Sequence, residues 1–172
     1  YNYMKVFDTT FIKDQFPALQ RKVWDKKLVY LDSAASMQKP KRVLDAINKS
    51  YSFNYSNVHR GLHKLSEEAT AKYEGSRIKV AKFINCSENE VIFTSGATAA
   101  LNLVAYSWGM KNLSAGDEII ITIAEHHANI VPWQIIAEQK NVKIKAAHVD
   151  PNSEFNPDII RDLVSDKTKI IA

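Results

Sequence analysis

The chain is poor in the residues that mark secreted, metal-binding and membrane proteins. Of its 172 residues only Cys86 is a cysteine, so no intramolecular disulfide is available and no CxxC metal pattern exists, a usage that suits a reducing compartment. Glycine and proline number five each, which excludes collagen-like and low-complexity compositions. No run approaches the roughly 18 apolar residues of a membrane span, and Tyr1-Asn2-Tyr3-Met4-Lys5 lacks the apolar stretch of a secretory signal. These absences predict a cytoplasmic protein without a membrane partner. Met4 points to residues 1–3 as an addition or an alternative start. The formal net charge is +4, and the lysines are spread along the chain (Lys26, Lys49, Lys82, Lys111, Lys143) rather than gathered in a patch, so no nucleic-acid partner is expected. No cluster with metal-ligand spacing occurs.

Hydrophobic residues make up 45% and charged residues 24%, an ordinary globular balance in a chain long enough for one substantial core. Asp8 is placed to cap a helix ending near Phe16, before Pro17. Leu28-Val29-Tyr30-Leu31 reads as a short strand running into Asp32-Ser33-Ala34-Ala35-Ser36. Pro40 opens a helix through Val43, Leu44 and Ile47. Ser66 is expected to cap a longer helix with Ala69, Tyr73, Val80 and Phe83 on one face. Strand and helix then alternate: strand Val91-Ile92-Phe93, helix 97–110 with Leu101, Val104, Ala105 and Trp108 inward, and strand 118–123. Helix 129–140, strand 142–149, a helix capped at Asn156-Pro157 and a last strand from Lys169 complete the series. This alternation predicts an α/β fold with a mainly parallel sheet flanked by helices. A sheet whose last strand falls at residue 172 leads us to expect a truncated one.

Ligands of open α/β sheets gather beyond the carboxyl ends of strands, and two polar clusters fall there. In Thr94-Ser95-Gly96-Ala97-Thr98, the amides of Ala97 and Thr98 would be unpaired first-turn donors, suited to a phosphate. The same residues also make an ordinary strand-to-helix cap. In Glu125-His126-His127-Ala128-Asn129, adjacent histidines point apart and are poorly placed to share a metal. One imidazole can instead lie flat on an aromatic cofactor and exchange protons near neutrality; a purely structural, hydrogen-bonded pair is the alternative. The third cluster, Asn57-Val58-His59-Arg60-Gly61-Leu62-His63, is polar enough either to cover a site or to be a solvated interhelical loop.

Taken in order, these segments resemble the SUF-type (group II) cysteine desulfurases of the class V aminotransferase-like group. The resemblance is carried by Phe16-Pro17, Leu28 to Ser36, Gln38-Lys39-Pro40, Asn57-Val58-His59-Arg60-Gly61, Leu65-Ser66-Glu67 and Tyr73-Glu74-Gly75-Ser76-Arg77. Phe93 to Thr98, Asn102-Leu103-Val104-Ala105 and Glu125 to Trp133 complete it. It implies the fold-type I architecture of pyridoxal 5'-phosphate enzymes, in a homodimer, with residues 1–27 as an arm and short helix and 28–172 as the first part of the large cofactor-binding domain. It further implies removal of sulfur from L-cysteine, leaving alanine and an enzyme persulfide, with sulfur passed to acceptor and iron–sulfur scaffold proteins. By position, His126 would stack on the cofactor ring and take part in proton transfer, and Gly96, Ala97 and Thr98 would hold its phosphate. Ala34 and Ala35 would border the substrate, and His59 and Arg60 would line the entrance. The phosphate turn departs from the family pattern: Ala97 replaces a threonine, Ala99 an acidic residue and Ser95 an arginine.

The Schiff-base lysine, the aspartate facing the ring nitrogen, the persulfide cysteine and the arginine that holds the substrate carboxylate belong, in the family, to later segments. His63-Lys64-Leu65 mimics the histidine-lysine signature but lacks the Gly-Pro that follows it. Cys86 reads as a partly buried structural thiol, and Lys169 opens a strand. The 172-residue chain alone is therefore expected to be inactive. Selenocysteine lyase and other class V enzymes share the resemblance. A non-catalytic phosphate-ligand-binding α/β module or a structural partner domain would need neither lysine nor cysteine, though no GxGxxG or P-loop pattern supports a nucleotide module.

Overall fold

The computed structural model describes residues 8–149 and 156–172; residues 1–7 of the expected arm lie outside the described residues. The chain divides into two compact units, residues 1–91 and 92–172.

In the first unit, helix α1 (Thr9–Asp14) begins where the Asp8 carboxylate accepts the Phe11 amide at 2.9 Å, as expected of an acidic N-cap. After a 3-10 turn, Pro17–Gln20, the two-residue strands β1 (Lys22–Val23) and β2 (Lys26–Lys27) pair antiparallel. Their turn residues, Trp24 and Asp25, both have positive φ, 50° and 61°, the conformation a tight two-residue hairpin demands. Leu28 to Leu31 are not a strand: the Leu28 amide still bonds to the Arg21 carbonyl at 3.1 Å beside the hairpin, but the ladder stops at Lys27, and Val29 and Leu31 are exposed. The segment leads into a turn closed by the Ser36 amide on the Asp32 carbonyl at 3.1 Å and braced by the Tyr30 hydroxyl on the Ser36 carbonyl.

Helix α2 (Lys41–Lys49) follows Pro40, which sits at the cap position, and continues into a π-helical turn, Ser50–Asn54. Helix α3 (Lys64–Ile84) is capped by His63, not Ser66. The His63 imidazole accepts the Ser66 amide at 3.4 Å, while the Ser66 hydroxyl, fully buried, donates to the Asn57 carbonyl at 2.8 Å. Ser66 thus ties the preceding loop to α3. Val80 and Phe83 lie on the exposed side, with Phe83 at 89%. Val91-Ile92-Phe93 is also not a strand. The Val91 carbonyl, which a ladder would need, accepts from the Arg77 guanidinium.

The second unit holds helix α4 (Ala97–Val104), a π-helical turn (Ala105–Gly109) and α5 (Met110–Asn112) in sequence. Strand β3 (Glu118–Thr122) is central in a parallel sheet, flanked by β4 (Lys143–Ala147) and β5 (Thr168–Ile171). Helix α6 (Val131–Lys140) connects β3 to β4, and the short α7 (Asp158–Arg161) precedes β5. This is the α/β arrangement expected. Alternation along β3 sends Ile119 and Ile121 into a cluster with Ala105, Leu113, Trp133, Ile136, Ala137 and Val142. Ile120, on the opposite face, is also fully buried, as in sheets covered on both sides.

The helical face over this core is Ala105 and Gly109, not Val104 and Trp108, which are exposed. A Cβ on Gly109 would stand 3.1 Å from the Trp133 ring, so the close approach of the π-helical turn to α6 leaves a larger side chain room only if the ring gives way. At the amino end of β3, buried Glu118 is 2.6 Å from the Lys145 ammonium and accepts the Ser165 hydroxyl at 2.5 Å. These contacts link β3 to β4 and to the approach of β5. They hold the Glu118 carboxyl below its ordinary range, the Lys145 hydrogen bond first and Ser165 second.

Candidate functional site

In the second unit the chain turns at Thr94, Ser95 and Gly96 before α4, with the Thr94 hydroxyl donating to the Gly96 carbonyl at 3.0 Å. The first backbone bond of the helix runs from the Ala100 amide to the Gly96 carbonyl at 3.0 Å. The Ala97, Thr98 and Ala99 amides lie ahead of it, where helices leave donors for anions. Gly96 has φ 161° and ψ 177°, extended backbone open to any residue, and a Cβ there would meet nothing within 4 Å. The turn itself does not require glycine, and the space a Cβ would fill there is open.

Past the carboxyl end of β3, residues 127–129 form a single 3-10 turn. The His126 Nδ1 accepts the Ala128 amide at 3.0 Å. Because an amide can only donate, the neutral imidazole carries its proton on Nε2. The His127 ring stands edge-on to that of His126 at 6.3 Å. Thr98, Asn102, His126, His127, Ala128, Val131, Pro132 and Ile135 line one cavity of about 300 Å³. Thr98 and His126, expected from the sequence, are therefore brought together. Gly96 and Ala97 stand at the turn leading into α4, outside that lining. The combination of first-turn amides, a hydroxyl and an exposed imidazole fits a phosphorylated planar ring: the donors suit the phosphate and the ring face suits the plane.

Asn129, at the end of the motif that holds His126, ties it to the helix that follows. Its Nδ2 donates to the Glu125 carboxylate at 3.0 Å, and its Oδ1 accepts the Trp133 indole at 3.2 Å. The signal was the spacing Glu125, Asn129, Trp133, three residues at successive intervals of four. Asn102 and His127, which also border the cavity, were not assigned a role.

In the first unit, Ala34 and Ala35 occupy the exposed tip of the turn at 33–35. His59 has φ 68°, left-handed and uncommon outside glycine. Its amide donates to Thr70 at 2.9 Å, its Nε2 is 2.7 Å from the Glu74 carboxylate, and its ring meets Tyr73 edge-on at 5.7 Å. Glu74 also accepts from Arg77 at 3.0 Å, and its carboxyl is held below the ordinary range, by Arg77 first and by His59 to a lesser extent. His59 is thus anchored on α3, while the neighbouring Arg60 is exposed. Among the described residues no group of histidine, cysteine and acidic side chains is arranged to hold a metal ion, and no helix is long and apolar enough to cross a membrane.

Residues 29–172 match the aminotransferase class-V family. Probable cysteine desulfurases are among the similar curated proteins. That of Synechocystis sp. is 48% identical over 161 residues, covering 93% of this chain and 38% of the relative. That of Vibrio cholerae is 50% identical over 162 residues, covering 94% and 40%. Among solved structures, the cysteine desulfurase CsdA from Escherichia coli, in an S-sulfonic acid form, superposes with a TM-score of 0.79 at 36% identity, over 96% of this chain and 41% of that one. The apo cysteine desulfurase of Thermococcus onnurineus gives 0.79 at 32% identity, over 91% and 39%. The chain spans about two fifths of the length of the curated relatives it matches. With the family matched over all but its first 28 residues, and with the α/β frame of two desulfurase structures reproduced, the chain belongs to the aminotransferase class-V family.

Proposed function

We propose that this chain is the first part of the large domain of a SUF-type cysteine desulfurase that uses pyridoxal phosphate, with residues 1–27 as its arm. The full-length protein takes L-cysteine to alanine and a protein-bound persulfide. It works as a cytoplasmic homodimer and passes sulfur to acceptors that feed iron–sulfur cluster assembly. The observation that carries this reading is the cavity shared by Thr98, at the head of α4, and His126, past the carboxyl end of β3. The relatives named above support the substrate.

When bound, pyridoxal phosphate supplies the electron sink for breaking bonds at the substrate's α-carbon and beyond. The work left to this chain is binding and orientation. The Ala97 and Thr98 amides and the Thr98 hydroxyl bind the phosphate at a helix N-terminus, where the dipole favours an anion. The His126 ring presents a flat face to the cofactor and holds a proton at Nε2, with Nδ1 tied to the Ala128 amide. Ala34 and Ala35 leave room beside the substrate, and Arg60, with His59, lines the entrance and adds a positive charge that suits the carboxylate of an amino acid.

The test is made on the full-length protein: absorbance of the bound cofactor, and alanine released from cysteine with a reductant to clear the persulfide. Release should depend on the cofactor and fall by roughly 10²–10⁴-fold in His126→Ala, the range for losing an acid–base group. A full-length protein that binds the cofactor but releases alanine only from selenocysteine would replace this reading with a selenocysteine lyase. One that binds no cofactor would end it.

A further inference from the structure

The His126 imidazole is exposed, on a loop whose regular structure is a single 3-10 turn. A ring that must lie flat against a ligand needs more restraint than so short a turn provides, because such loops have few backbone bonds. Asn129 provides that restraint from three sides. Its amide donates to the His126 carbonyl at 2.8 Å. Its side chain reaches back to the Glu125 carboxylate at 3.0 Å, immediately before His126, and forward to the Trp133 indole at 3.2 Å. Trp133 is 2% exposed and packed in the core of the second unit, so the chain of bonds ends on a rigid point.

The chemistry of the bridge singles out asparagine. The indole N–H can only donate and the carboxylate can only accept. The residue between them must therefore offer one acceptor and one donor at that reach, which fixes the amide with Oδ1 toward Trp133 and Nδ2 toward Glu125. Aspartate would keep the indole bond but set two carboxylates against each other, and alanine would lose both bonds.

We propose that Asn129 is a positioning residue for His126, transmitting the rigidity of the core through Trp133 and Glu125 to the imidazole. The proposal rests on the reading that His126 faces the cofactor, and it adds a residue that acts through His126 without touching substrate.

The test swaps the polarity of the bridge in the full-length protein. Asn129→Asp should lower kcat for alanine release by about 10–100-fold, the scale of a misplacement near 1 Å, with KM for cysteine changed less than about twofold and the cofactor still loaded. Glu125→Gln alone keeps the bridge, since the glutamine carbonyl accepts from Asn129. In the double variant Glu125→Gln/Asn129→Asp, the glutamine amide donates to the new carboxylate, which still accepts from the indole. It should recover to within about threefold of Glu125→Gln, the mark of coupling rather than independent damage. Asn129→Ala, run in parallel, removes both bonds without adding charge, so loss of order is separable from repulsion.

A second readout does not use activity. In the cofactor-free full-length protein with carbon-13-labelled histidine, the His126 ring resonance, assigned with His126→Gln, should be narrow in the parent. It should broaden or shift in Asn129→Asp and Asn129→Ala, and return in the double variant. An unchanged ring resonance and kcat in Asn129→Asp, or a double variant as impaired as Asn129→Asp, overturns the proposal. If the parent releases no alanine, the functional reading fails, while the ring resonance still decides the role of Asn129.

Discussion

Single side chains set the local geometry at two places where the residue type alone said little. Glu118 begins β3 as a charged residue at the head of an isoleucine run, and its use emerges only from the fold, where β4 brings Lys145 and the loop before β5 brings Ser165. Its folded pKa is lowered from the ordinary value of 4.5, so its contribution to stability is fully present above about pH 4.5 and is lost as pH falls through the folded value. Acid unfolding followed by circular dichroism should show a steep loss of stability below about pH 4.5. Glu118→Gln, which cannot change charge, should flatten that limb and lower stability at pH 7; an unchanged acid limb would remove Glu118 from the account. Glu74 is lowered in the same sense, chiefly by Arg77, but its partners serve a different end. By holding the imidazole of His59 and, with Thr70, the left-handed turn at that residue, they fix where Arg60 leaves the helix-bound part of the loop.

At the level of elements, two glycines that look alike in sequence part company. Gly109 is pressed against Trp133, where a Cβ would stand 3.1 Å from the ring, with Leu113 and Ile136 at 3.6 and 3.7 Å. Gly109→Val should therefore destabilise the second unit by about 1–3 kcal/mol in chemical denaturation, as overpacking does. Gly96 has extended backbone and open space. Gly96→Ala should leave stability within about 0.5 kcal/mol while weakening cofactor retention in the full-length protein if the phosphate approaches the turn as closely as the proposed site requires. Tight cofactor retention by Gly96→Ala would place the phosphate elsewhere. The same contrast explains how much was legible in the residues. Helices and strands of the second unit followed from periodicity because one core satisfies them. Leu28–Leu31 and Val91–Phe93 have strand composition, but a strand exists only with a partner edge. Among the described residues neither segment is assigned to a ladder: the Leu28 amide bonds to the Arg21 carbonyl beside the β1–β2 hairpin, and Arg77 takes the Val91 carbonyl. Of the residues expected inward on the helix after Gly96, Ala105 is in the core while Val104 and Trp108 are exposed, and past Ala105 the π-helical turn, which departs from a 3.6-residue period, brings Gly109 inward in place of Trp108. His126 was readable as a residue past a strand end, and Thr98 as a first-turn helix residue whose preceding strand does not form. Asn129 was not, since its meaning depends on Trp133 being buried.

Across the whole molecule the two units differ in how much core each owns. The second buries a contiguous cluster around Ile119, Trp133 and Ile136. In the first, the buried hydrophobic residues among those described are only Ala81 and Val91, while Leu31 and Leu62 are 91% and 102% exposed. Apolar surface on that scale marks a face made to be covered, and the relatives are more than twice the length of this chain. The 172-residue chain alone should release no alanine from cysteine with added cofactor, since no lysine in it stands in the family's signature context. Its stability should be uneven as well. Hydrogen exchange on the isolated chain should be slowest at β3 and along Trp133, Ile136 and Ala137 of α6, where the backbone bonds are shielded by packed side chains, and faster across α2 and α3, whose bonds have little apolar cover. In the full-length protein the first unit should gain protection more than the second, because it has the smaller core of its own and the more to gain from burial. Equal protection of α3 and α6 in the isolated chain would mean that α3 draws its stability from its own helical bonds and capping, and that the exposed apolar face is not what limits the first unit.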